Sequence, residues 1–171
     1  MFTNESLQKI DEQLRAKVDP KNQKYFRQVV VAGLKAMYSK ETNKDMLMVS
    51  DPKTFLKDPV GNMVKGIEGL MWTLYTQSGP EKDQDPQMPL DVLILAAMIL
   101  MVNAMDYAEK TLGIQFTNDM ISDATLKLNE RIYAHLKISP QQLSEAIQAG
   151  HDEIEKSKGM LQQPDQQAGV Q

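Results

Sequence analysis

Apolar residues recur at helical spacing along the whole chain, and one stretch stands apart from the others. The segment from Met88 to Leu112 reads MPLDVLILAAMILMVNAMDYAEKTL, and no polar residue lies between Val92 and Val102. A helix that is apolar on every side is buried. We therefore predict an all-α fold, a compact bundle of about six helices around this central hydrophobic helix.

The first segment is a helix with one narrow apolar stripe, formed by Leu7, Ile10, Leu14 and Val18. Its opposite face is polar, so it needs a surface to lie on. Residues 1–18 are thus a candidate peripheral docking helix, either on the chain's own core or on a neighbouring chain.

Proline after aspartate marks the next helix starts, because Asp caps the helix and Pro suits its first position. Such pairs occur at Asp19-Pro20, Asp51-Pro52 and Asp58-Pro59. The first predicted helix runs to about Ser39 and carries a broad apolar face. Four cations lie mostly off that face and suit an acidic partner, phosphates or plain solvent: Lys21, Lys24, Arg27 and Lys35.

The helix from Pro59 to Gln77 contains Gly61, Gly66 and Gly69. Each interior glycine costs ~1 kcal/mol relative to alanine, so all three need a reason. Close approach of another helix backbone is our interpretation, with a hinge as the alternative. Trp72 falls beside the apolar face, as a core-rim residue or an interface anchor.

The central helix changes character along one face. Asn103, Asp106 and Lys110 form a polar stripe, which continues backwards into apolar residues such as Ile99 and Leu95. We expect a second subunit or a folded-back helix to cover the first half only. A charge at Leu95 or Ile99 should then disrupt folding or assembly, whereas Asp106→Lys should be tolerated. The candidate interface residues are Trp72, Gly66, Gly69, Leu95 and Ile99.

The remaining segments complete the predicted organisation. Thr42 caps a short helix, Ser78 to Gln87 is an acidic surface loop, and Gly113 ends the central helix. Thr117 caps a helix that reaches Leu136, and Ser139-Pro140 opens the last one. We predict a single helical domain over residues 1–158 and a flexible Gln-rich tail over residues 159–171.

Bulk composition narrows the class of protein. The net charge is −4, and the chain contains 12 methionines and no cysteine. Residues 1–44 carry a net charge of +4 and the rest −8, an asymmetry that lets copies pack head to tail. The apolar run is 11 residues long, against the ~20 that span a bilayer, so we expect no transmembrane helix.

The sequence contains no residue pattern typical of catalysis. Neither His135 nor His151 lies in an HExxH or ExxH motif, and no phosphate-binding glycine loop or nucleophile elbow occurs. Carboxylate pairs such as Asp119 and Asp123 fit a solvated helix surface. We expect a protein that is not an enzyme and has no cofactor or metal.

Four runs in order nonetheless resemble a known class: VVAGLKAMYSKETNKDMLM, DPVGNMVKGIEGLMWTLYTQSG, a hydrophobic helix ending MDYAEKTLG, and FTNDMISDATLKLNERI. Together they resemble small α-helical virion structural proteins of tailed bacteriophages. The resemblance implies a head–tail connector or an ejection protein, assembled in the bacterial host cytoplasm and resident in the virion. It implies a homo-oligomer that packs against other virion proteins, and it transfers no site residues.

Two other functions stay open on the sequence. One is a membrane-active helical module in genome delivery, in which the central helix swings out to insert. The other is a cellular helical regulator or adaptor with a small-ligand pocket among the methionines. Nucleic-acid contact through the lysine-rich helix face is not favoured, because such lysines are usually solvated.

Overall fold

The computed structural model describes residues 2–39, 52–79 and 88–137, and these ranges form six α-helices and no strand. The all-α prediction with about six helices is confirmed. In chain order the helices are α1 (Glu5–Ala16), α2 (Gln23–Tyr38), α3 (Pro52–Lys57), α4 (Pro59–Thr76), α5 (Leu90–Leu112) and α6 (Asn118–His135). A 3-10 turn, Pro20–Asn22, precedes α2.

The chain divides after Ile132 into two units, Met1–Ile132 and Tyr133–Gln171. The first unit holds α1 to α5 and nearly all of α6, and the account below concerns that unit. In the second, residues 133–137 are described, as the end of α6 and a turn. The predictions for the Thr42 helix, most of the acidic loop, the last helix and the tail lie outside the described residues. The domain limit at residue 158 therefore stays a prediction.

Helix α5 is the centre of the first unit, as its composition predicts. Helices α1, α2 and α4 each contact α5 more extensively than they contact one another. Hydrogen bonds fix their directions: Asn22 donates to Asp91 at one end of α2, and Tyr38 donates to the Asn103 carbonyl at the other. Helix α2 thus runs parallel to α5. Helix α1 runs antiparallel to it, since Asn4 contacts Glu109 and Leu14 lines a groove with Met98. The Met88 N–H donates to Ser78 Oγ, which holds the end of α4 beside the start of α5.

The apolar composition of α5 matches its burial on most sides. The side chains with 0% exposure are Val92, Ala96, Ala97, Ile99, Leu100, Ala104 and Met105. Among the described residues, α5 is the one helix long and apolar enough to cross a membrane by length and composition. Our argument from length is therefore wrong, because the helix has 23 residues. Of its most apolar window, 56% is buried inside the protein, as in the core helix of a folded domain.

Two of the predicted helix boundaries, at Asp58 and Gly113, are formed by the residues expected there, and a third is shifted. Asp58 Oδ1 accepts a hydrogen bond from the Gly61 N–H at 2.9 Å, so the Asp-Pro signal opens α4 as predicted. Gly113 ends α5 with φ 67°, a left-handed conformation that glycine adopts without strain. Asp19 instead caps the 3-10 turn, and α2 begins only at Gln23.

Two of the three glycines of α4, Gly61 and Gly69, do not serve the purpose we predicted, and for Gly66 the close approach stays a prediction. A Cβ on Gly61 would meet the capping carboxylate of Asp58 at 2.1 Å, and a Cβ on Gly69 would have no atom within 4 Å. The close helix approach occurs at Gly33 in α2, where a Cβ would lie 2.4 Å from Leu100 Cδ1. The missing side chain lets α2 settle closely against α5.

Candidate interaction surface

The N-terminus of α1 is fixed to the C-terminal part of α5 by Asn4 and Glu109. The Asn4 side-chain oxygen caps α1 by accepting from the N–H groups of Ser6 and Leu7, at 2.9 and 3.4 Å. Its Nδ2 donates to Glu109 Oε1 at 2.9 Å, and the same oxygen accepts from the Phe116 N–H at 2.9 Å. One carboxylate therefore joins α1, α5 and the loop before α6. Since Leu7 is 0% exposed, α1 docks on its own chain.

The polar stripe of α5 is less solvated than we predicted. Asp106 Oδ1 accepts hydrogen bonds from the Thr3 N–H and hydroxyl at 3.1 and 3.3 Å, and Oδ2 pairs with Lys110. The Asp106 side chain is only 15% exposed. The expectation that Asp106→Lys is tolerated is therefore wrong on this geometry, because the change would remove three contacts and place two ammonium groups together.

Most of the apolar half of the same face is covered from within the chain, and the exception is Leu95, which is half-buried at the edge of this face. Ile99 is 0% exposed, as are Val92 and Ala96. Helix α2 packs along this side, and its last residue, Tyr38, lies with its ring centroid 5.4 Å from that of Tyr107. A helix of the same chain therefore covers most of this face, and a second subunit over Leu95 stays a prediction.

A different side of α5 is left partly open, and helix lengths explain why. Helix α1 has 12 residues and α5 has 23, or about 18 Å against about 34 Å at 1.5 Å per residue. Because α1 starts beside Glu109 and runs antiparallel, its end reaches only the level of Met98, where Leu14 and Met98 share a groove. The first two turns of α5 extend beyond it.

Those uncovered turns carry large aliphatic side chains. Leu90 is 41% exposed, and Ile94, Leu95 and Met98 are half-buried. Helical spacing places the last three on the same side of α5 as Val102, which is 1% exposed. We call the four residues Leu90, Ile94, Leu95 and Met98 the apolar ledge.

The ledge continues into a groove of about 390 Å³ between α1, α5 and α6. Its lining is apolar at the bottom and polar along the rim: Ile10, Gln13, Leu14, Lys17, Met98, Asn118, Ile121, Ser122 and Thr125. Met98 belongs to both features, so ledge and groove form one continuous surface. An amphipathic helix placed end to end with α1 would bury its apolar stripe on this surface and keep its polar side in water.

The predicted interface residues do not lie together. Leu95 is on the ledge, whereas Ile99 is in the core of its own chain. On α4, Gly66 is half-buried and Gly69 is exposed. Trp72 is half-buried and stacks on Tyr75 with centroids 5.4 Å apart. Contact between these residues and another chain stays a prediction. The ledge as a whole was missed, since its exposure depends on where α1 stops.

A second cavity, of about 450 Å³, lies where α1 and α6 begin. Its lining is mostly polar: Thr3, Asn4, Glu5, Ser6, Glu109, Gln115, Phe116, Thr117 and Asn118. Because Glu109 there is already hydrogen-bonded to Asn4 and Phe116, this cleft is part of the contact that holds α1, α5 and the loop before α6 together. In the part of the chain that the structure describes, no three His, Cys, Asp or Glu side chains cluster to hold a metal.

Comparisons with protein-family models, with curated proteins and with solved structures gave no match for this chain. The fold and the surface thus define its class by themselves. It is an all-α protein whose central apolar helix is left partly open along one side. The absence of catalytic and cofactor chemistry remains an expectation.

Proposed function

We propose that this chain is a non-enzymatic structural protein that assembles with copies of itself and with other proteins. The apolar ledge carries the proposal. The most hydrophobic helix of the chain extends beyond the helix that covers it, and there Leu90 is exposed while Ile94, Leu95 and Met98 are partly exposed. Apolar surface of this kind on a core helix is typical of a protein-interaction site.

The energy available from the ledge suits assembly that needs further contacts. Completing the burial of these four partly exposed aliphatic side chains is worth roughly 1–4 kcal/mol. Association costs on the order of 4–15 kcal/mol in lost freedom. The ledge alone therefore gives weak binding, and a stable particle requires the groove and at least one other surface.

The setting we propose is the virion of a tailed bacteriophage, in the head–tail region or the ejection apparatus. This part rests on the sequence resemblance between Val29 and Leu136. The order of neighbouring genes tests it: portal, capsid and terminase genes beside this one would support the setting. A neighbourhood of metabolic or regulatory genes would contradict the virion role and leave the assembly role in place.

Self-association is tested by light scattering on the purified chain over a wide concentration range. We expect a mass above that of the monomer, and we expect Leu95→Glu to lower it without loss of helicity. Leu56→Glu is the matched control, because Leu56 is 52% exposed on α3, which packs on α4 and belongs neither to the ledge nor to the groove. A monomer at every concentration, for wild type and variants alike, would contradict the proposal.

A second candidate is a membrane-active module, favoured by one observation: α5 has the length and hydropathy of a membrane span. Its insertion would require α1, α2 and α4 to separate from it. Dye release from anionic and neutral liposomes tests this. Release that Leu95→Glu abolishes would favour it over assembly, and intact liposomes at every pH would exclude it.

A further inference from the structure

One exposed face of α2 carries only positive charge. Lys24, Arg27, Val31 and Lys35 follow one another at intervals of three or four residues, which places them on one side of the helix. All four are exposed, and Val31 is 49% exposed. Among the described residues none of the three cations forms an ion pair. We call these four residues the basic stripe.

One exposed face of α6 repeats this arrangement with the opposite sign. Asp119, Asp123, Leu126 and Glu130 are likewise spaced by three or four residues and exposed, and Leu126 is 61% exposed. Asp123 forms an ion pair at 2.7 Å with Lys127, which lies one turn further along α6 beside the row of acidic residues. We call these four residues the acidic stripe.

The two stripes match in length as well as in charge. Each spans 12 residues, about 16 Å from first to last. Each has one exposed aliphatic residue in the same place, with two charges before it and one after it. If Val31 lies against Leu126, three cations of one stripe come beside three carboxylates of the other.

The stripes of one molecule do not cover each other, because both are exposed in the folded chain. We propose that the basic stripe of one copy docks on the acidic stripe of a second copy. The inference rests on the proposed function, since it names one contact by which copies assemble. Such a contact joins two different surfaces, so it is heterologous and generates a ring or a filament.

The contact is expected to be weak and sensitive to salt. One helix laid on another buries less than the ~1,200 Å² typical of stable complexes. Exposed charges are screened beyond about 10 Å at 0.1 M salt. The stripes would therefore set which surfaces meet and the rate of encounter, while the ledge supplies apolar burial.

Charge reversal with complementation tests the proposal in the full-length chain. The first variant combines Lys24→Glu, Arg27→Glu and Lys35→Glu; the second combines Asp119→Lys, Asp123→Lys and Glu130→Lys. Each alone places like charges on both stripes, so we expect self-association at least about tenfold weaker, which is ~1.4 kcal/mol. An equimolar mixture of the two again pairs opposite charges, and we expect it to associate as wild type does.

A third variant with the same charge change but no stripe residue is the control: Lys9→Glu, Lys57→Glu and Lys65→Glu, all at exposed positions. It should sediment as wild type does. Circular dichroism on every variant, and recovery in the mixture, separate lost contact from lost fold.

The outcomes distinguish this contact from the proposed function. Self-association that Leu95→Glu weakens but both stripe variants leave unchanged would overturn the stripe contact and keep the assembly role. A strictly monomeric wild type would overturn both. If the first variant loses affinity for duplex DNA while its sedimentation is unchanged, the basic stripe is a nucleic-acid surface and the stripe contact is wrong.

Discussion

Replacing Gly33 by alanine is the sharpest test of the packing between α2 and α5. A Cβ at this position would lie 2.4 Å from Leu100 Cδ1 and 2.9 Å from Cδ2. Carbon atoms in contact prefer about 3.5–4.0 Å. Since Leu100 is 0% exposed, its side chain cannot swing into solvent. The helices must therefore separate, or Leu100 must leave its rotamer.

The magnitude follows from two opposing effects. Overpacking a core costs about 1–3 kcal/mol, and the enclosure of Leu100 favours the upper part of that range. Alanine also improves helix propensity over glycine by about 1 kcal/mol. We therefore expect Gly33→Ala to lower the free energy of unfolding by about 1–2 kcal/mol.

Gly69→Ala is the matched control, because it makes the same chemical change in a helix with open space around it. Only the propensity effect applies there, so the free energy of unfolding should rise by up to about 1 kcal/mol. Urea unfolding followed by far-UV circular dichroism measures both variants. If Gly33→Ala stabilises the protein as much as Gly69→Ala does, the close approach of α2 to α5 is not real.

A double-mutant cycle assigns the cost to Leu100. Leu100→Ala alone should lower the free energy of unfolding by about 2–5 kcal/mol. In the Gly33→Ala background the same change removes the clash, so its cost should be smaller by the full cost of overpacking, about 2–3 kcal/mol. If the costs of the two single substitutions simply add in the double variant, the alanine at position 33 does not clash with Leu100.

Two further predictions concern the polar contacts around α5. Asp106→Lys should lower the free energy of unfolding, measured by urea titration, by about 1–2 kcal/mol. Asp106→Asn keeps an acceptor for Thr3 and should lower it by less. If both variants are as stable as wild type, the hydrogen bonds from Thr3 to Asp106 do not stabilise the fold. Burial, with smaller contributions from Asp106 and Tyr107, raises the pKa of Tyr38 to about 12. The protonated Tyr38 phenol therefore stabilises the fold fully below about pH 10, and this contribution is lost as the pH rises toward 12. Ultraviolet titration should place one phenol there, absent in Tyr38→Phe; an unchanged titration would contradict the burial.

The sequence was sufficient for features that depend on neighbouring residues. The unbroken apolar run in α5 predicted its central place, because no exposed helix carries such a surface. Asp58 and Gly113 marked helix ends because capping needs only residues within one turn. The narrow stripe of α1 predicted docking without naming the surface.

The sequence was insufficient for features that depend on which residue of a distant segment packs against a given side chain. Gly33 and Gly69 look alike in a helical pattern, yet only Gly33 faces a buried leucine. Asp106 looked solvated because its partner, Thr3, is distant in the chain. The ledge follows from α1 being half as long as α5 and from the point where it starts, and the starting point is fixed by Asn4 and Glu109.

The most direct test of the account is the mass of the Leu95→Glu variant beside that of Ile99→Glu. Leu95 is half-buried on the ledge and Ile99 is 0% exposed in the core. Light scattering and circular dichroism on both should show that Leu95→Glu stays helical but loses self-association, while Ile99→Glu loses its fold. A Leu95→Glu protein that assembles as wild type does would contradict the claim that the ledge is an assembly surface.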